Sequence, residues 1–226
     1  MEYLKREAEN LGVALSGSQL GSFEEFSKLL FDWNEKVNLT AITDPEEVAI
    51  KHYADSLSVL PFIKDGDYCA DVGTGAGFPG IPLAIMRPGN KFHLLDSLNK
   101  RVLFLNAAIA ALGLANVSCE HSRAEDAAKR EDMHERFDVA MSRAVAGMPQ
   151  LSAWCLPFVK AGGVFLAMKG PAPEQEAEEA KEAIKVAGGR LESIEKVSLA
   201  GGTINHTILV VRKVRSVPVL KSKRKK

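Results

Sequence analysis

The stretch Tyr68-Cys-Ala-Asp-Val-Gly-Thr-Gly-Ala-Gly-Phe-Pro-Gly80 decides the fold of this chain. Its first five residues have the composition of a short buried strand, and a loop with four glycines follows directly. Because glycine has no Cβ, a ligand can approach the loop closely, and the helix predicted at 81–86 adds free N–H groups. The stretch therefore predicts a strand, a ligand-binding turn and a helix.

Strands and helices alternate along the rest of the chain. Helical spacing of apolar residues predicts helices at 98–112, 148–159 and 174–186, with apolar runs of strand length between them. This alternation indicates an α/β fold with a sheet of about seven mostly parallel strands and helices on both faces. Only a Gly-rich turn separates the last two predicted strands, at 191–197 and 206–211, so we expect them to pair antiparallel at an edge.

The amino-terminal part of the chain has a different pattern. Large apolar residues recur at helical spacing over 23–37, and Asp44 can cap a second helix. We expect an N-terminal helical subdomain at 1–60 packed on the core, an α/β core at 61–214, and a basic flexible tail at 215–226.

The zero net charge of the 226 residues hides an uneven distribution. Residues 212–226 contain eight basic residues and no acidic ones, which leaves residues 1–211 with a net charge of −8. A nucleic acid would therefore have to be held by locally concentrated positive charge.

Several classes of protein are excluded by composition. No apolar run approaches the roughly 18 to 20 residues that a membrane helix needs, and the charged amino terminus lacks the apolar centre of a secretory signal. Cys69, Cys119 and Cys155 are too widely spaced for a disulfide framework or a zinc site. We expect a cytoplasmic protein, a monomer, without a metal and without membrane association.

The glycines of the loop fit two patterns. Gly75-x-Gly77-x-x-Gly80, with an acidic residue at Asp96, satisfies the dinucleotide fingerprint. In that fingerprint, however, the first glycine directly follows the strand, and here that glycine is Gly73. The alternative, Asp71-x-Gly73-x-Gly75-x-Gly77, resembles motif I of the class I S-adenosylmethionine-dependent methyltransferases. Nicotinamide binding and a tight turn without a ligand remain the alternatives at this point.

The residues after the fourth predicted strand bear on the kind of methyl transfer. Ser142-Arg143-Ala144 occupies the place where amine methyltransferases carry Asn or Asp followed by Pro-Pro, and no cysteine has the context of a C5 nucleophile. Guanine N7 carries no proton, so its methylation needs positioning but no general base. Arg143 would place a cation near the reaction centre, although a surface salt bridge would also account for it.

Five motifs together make the resemblance specific. In this order along the chain, they resemble the bacterial small-subunit ribosomal RNA guanine-N7 methyltransferases, also called glucose-inhibited division protein B or RsmG. The likeness extends over 31–212. The motifs are Trp33-Asn-x-x-x-Asn-Leu-Thr40, the glycine loop to Pro82, Leu95-Asp-Ser-Leu-Asn-Lys-Arg101, Arg123-Ala-Glu125 and Ser142-Arg-Ala144.

The resemblance implies the fold, the reaction and the site. The fold is the Rossmann-like class I fold with an N-terminal helical cap, and the reaction methylates N7 of a guanosine in a decoding-region loop of 16S rRNA, using S-adenosylmethionine. Asp96 would accept from the ribose hydroxyls, Glu125 would lie near the adenine end, and Arg143 would be the catalytic residue. The implied cofactor-binding residues are Asp71, Gly73, Gly75, Gly77, Phe78, Asp96, Ser97, Leu98, Ala124, Glu125 and Arg143.

Basic residues near the expected site form a candidate RNA contact. Lys100, Arg101, Arg123 and Lys169, together with Arg143, are predicted to lie near the carboxyl ends of strands as a cationic rim, although solvated surface charge is the alternative.

Polar residues before the glycine loop are open to two interpretations. Asn34, Asn38 and Thr40 would either tie the helices to the sheet or contact RNA, and His52 and Asp55 would be structural or line the site entrance. Two further functions stay open: a methyltransferase for a small molecule or protein, and a noncatalytic RNA-binding or assembly module.

Overall fold

The computed structural model describes residues 1–143, 146–170 and 174–219. Within them lies one seven-stranded sheet with the order β3-β2-β1-β4-β5-β7-β6. Strands β1 to β5 are parallel, and β7 runs antiparallel to both of its neighbours. The strands are β1 Tyr68–Val72, β2 Lys91–Asp96, β3 Val117–His121, β4 Phe137–Arg143, β5 Val159–Lys169, β6 Gly189–Leu199 and β7 Ile204–Lys213.

The strand order places the site. Asp71 in β1 lies in register between Leu94 of β2 and Met141 of β4. β2 and β3 follow on one side of β1, and β4 and β5 follow on the other. Where the strand order reverses in this way, a crevice for ligands forms outside the carboxyl ends of the strands. The glycine loop follows β1 directly, so the loop lies in that crevice.

Helices cover both faces of the sheet, as the sequence predicted. Phe26, Ile81 and Phe104 belong to the core on one face, and Met148 and Ile184 belong to the core on the other. The α-helices are α1 Glu2–Asn10, α2 Gly17–Val37, α3 Pro45–Val48, α4 Asp55–Leu57, α5 Gly80–Met86, α6 Asn99–Ala111, α7 Ala124–Ala127, α8 Met148–Cys155, α9 Glu174–Glu179 and α10 Lys181–Val186. The predictions of the α/β fold and of an antiparallel edge pair are confirmed.

Two predicted helices are shorter in the structure. The helix predicted at 148–159 ends at Cys155, because Pro157 lies in a 3₁₀ turn and Val159 already begins β5. The helix predicted at 174–186 is interrupted at Ala180, which separates α9 from α10.

The N-terminal helices pack into the same core as the sheet. Ser16 caps α2 in a capping box with Gln19, and Asp44 Oδ1 accepts from Glu47 N at 2.9 Å where α3 begins. A six-residue π-helix, Ala49–Ala54, joins α3 to α4. Phe26 of α2 lies 5.6 Å from Phe78 of the glycine loop, centroid to centroid, so the helices pack directly on the loop. The division at residue 60 stays a prediction.

The last basic segment is partly integrated into the body. Lys213 is fully buried, and its Nζ donates to the carbonyls of Leu156 and Ala187, both at 3.0 Å. The tail predicted from residue 215 is bonded to the body where it begins, because Val217 N donates to Glu135 Oε1 at 2.8 Å. Residues 220–226, which carry five of the eight basic residues, lie outside the described residues.

Among the described residues, we find no helix with both the length and the apolar character that crossing a membrane requires.

Candidate active site

Asp71 holds the glycine loop against β1 by hydrogen bonds. Its side chain is buried, and Oδ2 accepts from Thr74 Oγ1 at 2.7 Å and from Gly80 N at 2.8 Å. Burial raises the pKa of Asp71 to about 6, although the two hydrogen bonds and the charge of Arg143 act in the opposite direction. Asp71 therefore shapes the loop and does not line the cleft, and its predicted role in cofactor binding stays a prediction.

Gly80 is required by close packing. A Cβ at this position would overlap Leu94 Cδ2 and would lie 2.8 Å from Asp71 Oδ2. Gly75, in contrast, has a φ of +62°, and a Cβ there would meet no atom within 4 Å. The loop is thus closed toward the sheet and open toward the cleft, which suits close approach of a ligand to its backbone.

Asp96 ties the end of β2 to the loop. Its Oδ2 accepts from Gly75 N at 2.9 Å, and its Oδ1 accepts from Leu98 N at 2.8 Å. Arg101 Nη1 lies 3.4 Å from the same Oδ2. A carboxylate oxygen has two lone pairs, so Gly75 N and Arg101 Nη1 occupy Oδ2, and Oδ1 retains one acceptor position for a hydroxyl group in the cleft.

Two adjoining cavities lie at the carboxyl ends of β1 and β2, and both are lined by Gly73 and Ser97. The larger, of about 340 Å³, is lined by Leu39, Thr40, His52, Gly73, Thr74, Gly75, Ala76, Phe78, Asp96, Ser97, Arg101 and Arg143. The smaller, of about 120 Å³, is lined by Val72, Gly73, Leu95, Ser97, Ser122, Arg123, Ala124, Glu125 and Trp154. The two together form one elongated cleft from the N-terminal helices to α7.

Arg143 lies at the inner wall of this cleft, held by the N-terminal helices. Its Nη1 donates to Asp55 Oδ2 and to the carbonyl of Lys51, both at 3.0 Å, and its Nη2 lies 3.2 Å from His52 Nδ1. The guanidinium also lies over the ring of Phe78, 5.1 Å from the centroid. These contacts fix Arg143 in place and leave its charge balanced by Asp55.

His52 is held as a neutral ring. Burial, followed by the neighbouring Arg143 charge, lowers the pKa of His52 to about 4. The ring stacks on Phe78 at 4.4 Å, and Nε2 lies 2.9 Å from Thr40 Oγ1. Both ring nitrogens are thus occupied within the protein.

The predicted cationic rim is less uniform than the sequence suggests. Lys169 donates to the Ala146 carbonyl at 2.8 Å and lies 2.8 Å from Glu176, with its side chain only 11% exposed. Arg101 is paired with Asp96, as described above. Lys100 and Arg123 are exposed and have no ion pair among the described residues. The unpaired charge of the rim therefore comes from these two side chains.

The remaining predicted residues fall into two groups. Gly73, Gly75, Phe78, Ser97, Ala124 and Glu125 line the cleft. Gly77 does not; a Cβ there would lie 2.7 Å from Ile81 Cγ1, so this glycine serves packing. Leu98 lines neither cavity, and 43% of its surface is exposed.

Trp154 and His206 were not identified from the sequence. Trp154 comes from α8 to wall the smaller cavity. His206 Nδ1, from β7, lies 3.0 Å from Asp55 Oδ1 on the side opposite Arg143. Neither residue belongs to a recognisable motif. The one signal in the sequence that could have indicated His206 is its position near the start of the strand that pairs with β5.

The cleft fits S-adenosylmethionine. The glycine loop is open to the cleft at Gly75, and Asp96 retains one carboxylate acceptor position beside it. Next to them the smaller cavity has apolar walls from Leu95, Ala124 and Trp154, with Glu125 at its edge, which suits a flat ring with polar edges. When bound, the cofactor supplies an electrophilic methyl group. Among the described residues, no cluster of three or more His, Cys, Asp or Glu could hold a metal ion.

Comparison with known proteins identifies the family. The model of the GidB family, described as rRNA small subunit methyltransferase G, matches residues 19–205. The chain belongs to this family. The ribosomal RNA small subunit methyltransferase G of Clostridium beijerinckii is 47% identical over 96% of this chain and 92% of that protein. The protein of the same name from Acetivibrio thermocellus is 46% identical over 93% of this chain and 87% of that protein.

Solved structures confirm the class I fold. M. jannaschii TYW2 in complex with AdoMet has a TM-score of 0.58 at 17% identity, over 72% of this chain and 76% of that chain. A SAM-dependent methyltransferase from Aquifex aeolicus has a TM-score of 0.54 at 23% identity, over 74% of this chain and 93% of that chain. With the family established, the predictions of a methyltransferase and of S-adenosylmethionine as its cofactor are confirmed. Nothing in these comparisons supports the alternative of a nicotinamide cofactor.

Proposed function

We propose that this chain transfers the methyl group of S-adenosylmethionine to N7 of a guanosine in a decoding-region loop of 16S rRNA. The relatives named ribosomal RNA small subunit methyltransferase G support a substrate in the small subunit. In the transfer, the N7 lone pair forms the new N–C bond as the S–C bond breaks, and the positive charge passes from sulfur to the base. No proton has to be removed.

The observation that carries this proposal is the lack of a poised base among the described cleft residues. His52, the imidazole of the cleft, has both nitrogens occupied and a pKa lowered to about 4. Asp96 already accepts two backbone N–H groups. An acceptor that carries no proton matches such a site, because catalysis then depends on positioning and alignment.

The roles of the cleft residues follow from their places. Asp96 and Ser97 would hold the ribose, the smaller cavity with Ala124 and Glu125 would hold the adenine, and Arg143 would act by positioning at the reaction centre. Lys100 and Arg123, which are exposed, would contact the RNA backbone. Because an active site cannot reach a stacked base, the target base would leave its stack.

We also propose a monomer in the cytoplasm. The glycine loop, Asp96 and Arg143 meet within one chain, so their side of the cleft needs no residue of a second copy. The three cysteines are free thiols, as expected in a reducing compartment. Sedimentation of the purified protein tests the first statement, and cell fractionation tests the second.

Methyl transfer to 16S rRNA from a strain lacking the enzyme tests the function directly. We expect the wild-type protein to incorporate label from S-adenosylmethionine into this RNA as 7-methylguanosine, and the Asp96→Ala variant to lose incorporation and affinity for S-adenosylhomocysteine. Asp126→Ala, at an exposed carboxylate on α7, is the matched control and should retain both. If rRNA from the deletion strain still carries the mark, or if only a small molecule or a protein is methylated, the proposal is wrong.

A further inference from the structure

A chain of hydrogen bonds runs from Arg143 to a hydroxyl group in the cleft. Arg143 Nη2 lies 3.2 Å from His52 Nδ1, and His52 Nε2 lies 2.9 Å from Thr40 Oγ1. Ile42 N donates to the same Thr40 oxygen at 3.0 Å. Thr40 is half-buried and lines the larger cavity with Gly75. This series of hydrogen bonds therefore ends where a ligand would lie.

The chemistry of the guanidinium sets the direction of these bonds. Arginine is always protonated and only donates, so Nδ1 of His52 must be the acceptor. The carbonyl of Lys51 also lies 3.2 Å from Nδ1, but a proton on Nδ1 would place two donors, His52 and Arg143 Nη2, opposite each other at 3.2 Å. The ring is neutral, so its single proton is on Nε2, and Nε2 donates to Thr40.

Thr40 Oγ1 consequently accepts two hydrogen bonds, from His52 and from Ile42. A hydroxyl has two lone pairs and one hydrogen, so Thr40 can only donate to a further partner. Among the described residues its hydrogen has no acceptor. Asn34 Oδ1 fixes the backbone at this point, because it accepts from Leu39 N at 2.7 Å and from Thr40 N at 2.9 Å.

We propose that the Thr40 hydroxyl donates a hydrogen bond to O6 of the acceptor base and so selects guanosine over adenosine. The inference rests on the proposed function and extends it to the choice of base. On the Hoogsteen edge, guanine presents acceptors at both N7 and O6, whereas adenine presents an amino donor beside N7. A hydroxyl that can only donate therefore matches O6 of guanine. At adenine, its hydrogen would face the amino group, which is also a donor.

The hydrogen bond orients the base and does not accelerate the transfer. As N7 gains the methyl group, the base becomes cationic and O6 becomes a weaker acceptor. An interaction that is no stronger in the transition state contributes to binding and selectivity rather than to kcat. Thr40 is therefore a specificity-determining residue, and we expect its loss to act mainly through KM.

The test combines two protein variants with three bases. The target nucleotide is first mapped in the wild-type reaction by chain cleavage at 7-methylguanosine. Guanosine, inosine, which retains O6, or 2-aminopurine, which lacks O6 but retains N7, is then placed there in 16S RNA by splinted ligation. Thr40→Val removes the hydroxyl at nearly constant shape, and Thr40→Ser keeps it. For each pair, kcat and KM are measured, together with S-adenosylhomocysteine affinity.

For the wild-type protein and Thr40→Ser we expect similar kcat/KM with guanosine and inosine, and about 10- to 100-fold lower kcat/KM with 2-aminopurine. For Thr40→Val we expect the value with guanosine to fall to that with 2-aminopurine, with unchanged S-adenosylhomocysteine affinity. An equal preference for guanosine over 2-aminopurine in Thr40→Val and wild type would overturn the proposal. So would a wild-type protein that does not distinguish the two bases, a result that needs no variant. Absence of any methylation of 16S RNA by the wild-type protein would instead overturn the proposed function.

Discussion

The guanidinium of Arg143 lies 3.0 Å from the carboxylate of Asp55, and this pair joins the end of β4 to α4. The two side chains are only 18% and 13% exposed. Burial raises the pKa of Asp55, but His206 and Arg143 outweigh it and hold the pKa below its ordinary value. The pair therefore stays ionised, and it connects the N-terminal helices to the wall of the cleft.

Replacing Asp55 by Asn should destabilise the protein and weaken cofactor binding. The change leaves the Arg143 charge largely buried without a counterion, which costs about 3 kcal/mol of unfolding free energy. Urea unfolding and calorimetry with S-adenosylhomocysteine measure the two effects. Asp65→Asn is the matched control, because Asp65 pairs with Arg87 at 3.3 Å while its side chain is 92% exposed, and such pairs contribute little. Equal destabilisation by both variants would contradict the expectation.

This pair also shows what the sequence could and could not predict. The place of Arg143 at the carboxyl end of β4 follows from the regular alternation of strands and helices. Its partner is 88 residues earlier in the chain, and their contact depends on how the π-helical segment at Ala49–Ala54 docks on the sheet. No local pattern contains that information. A pattern of charges therefore predicted a free cationic rim, whereas packing neutralises Arg143 and Lys169.

The glycine loop is the opposite case, because local sequence determines it. The spacing of its glycines predicted the turn and the ligand-binding edge, and the structure shows why Gly80 cannot carry a side chain. Trp154 was missed because its helix, α8, reaches the cleft from the other face of the sheet. The sequence thus predicts contacts made within one βα unit better than those made between units.

Gly80→Ala should perturb both stability and cofactor binding. The added methyl group would overlap Leu94 and press on Asp71, and overpacking of this kind costs about 1 to 3 kcal/mol. Because Asp71 holds the loop through Gly80 N, the affinity for S-adenosylhomocysteine should fall as well. Gly89→Ala is the control, since its Cβ would meet nothing within 4 Å. Calorimetry and thermal unfolding of the two variants decide; a Gly80→Ala protein with wild-type values would contradict this interpretation of the loop.

Asp71 should make the stability of the protein depend on pH. Burial raises the pKa of Asp71 to about 6, while an unfolded chain has an aspartate pKa of about 3.9. Between these values the folded state binds more protons, so this contribution is fully present below about pH 4 and is lost as the pH rises through 6, at about 3 kcal/mol in total. Relative to wild type, Asp71→Asn should therefore gain stability as the pH rises from 4 to 7. Urea unfolding across this range measures the difference, and a constant difference would exclude the titration.

RNA binding should depend on salt mainly through the two unpaired cations at the cleft. Lys100 and Arg123 are exposed, and each phosphate contact adds about 0.7 to 0.9 to the slope of log affinity against log salt concentration. The double variant Lys100→Ala, Arg123→Ala should lower that slope by about 1.4 to 1.8 in a titration with 16S RNA. Lys91→Ala is the control, because Lys91 is the first residue of β2 and so lies at the amino ends of the parallel strands, away from the cleft. Removal of 221–226 in the same assay measures the separate contribution of the basic tail. If only that deletion lowers the slope, RNA is attracted by the tail, and Lys100 and Arg123 are solvated surface charges.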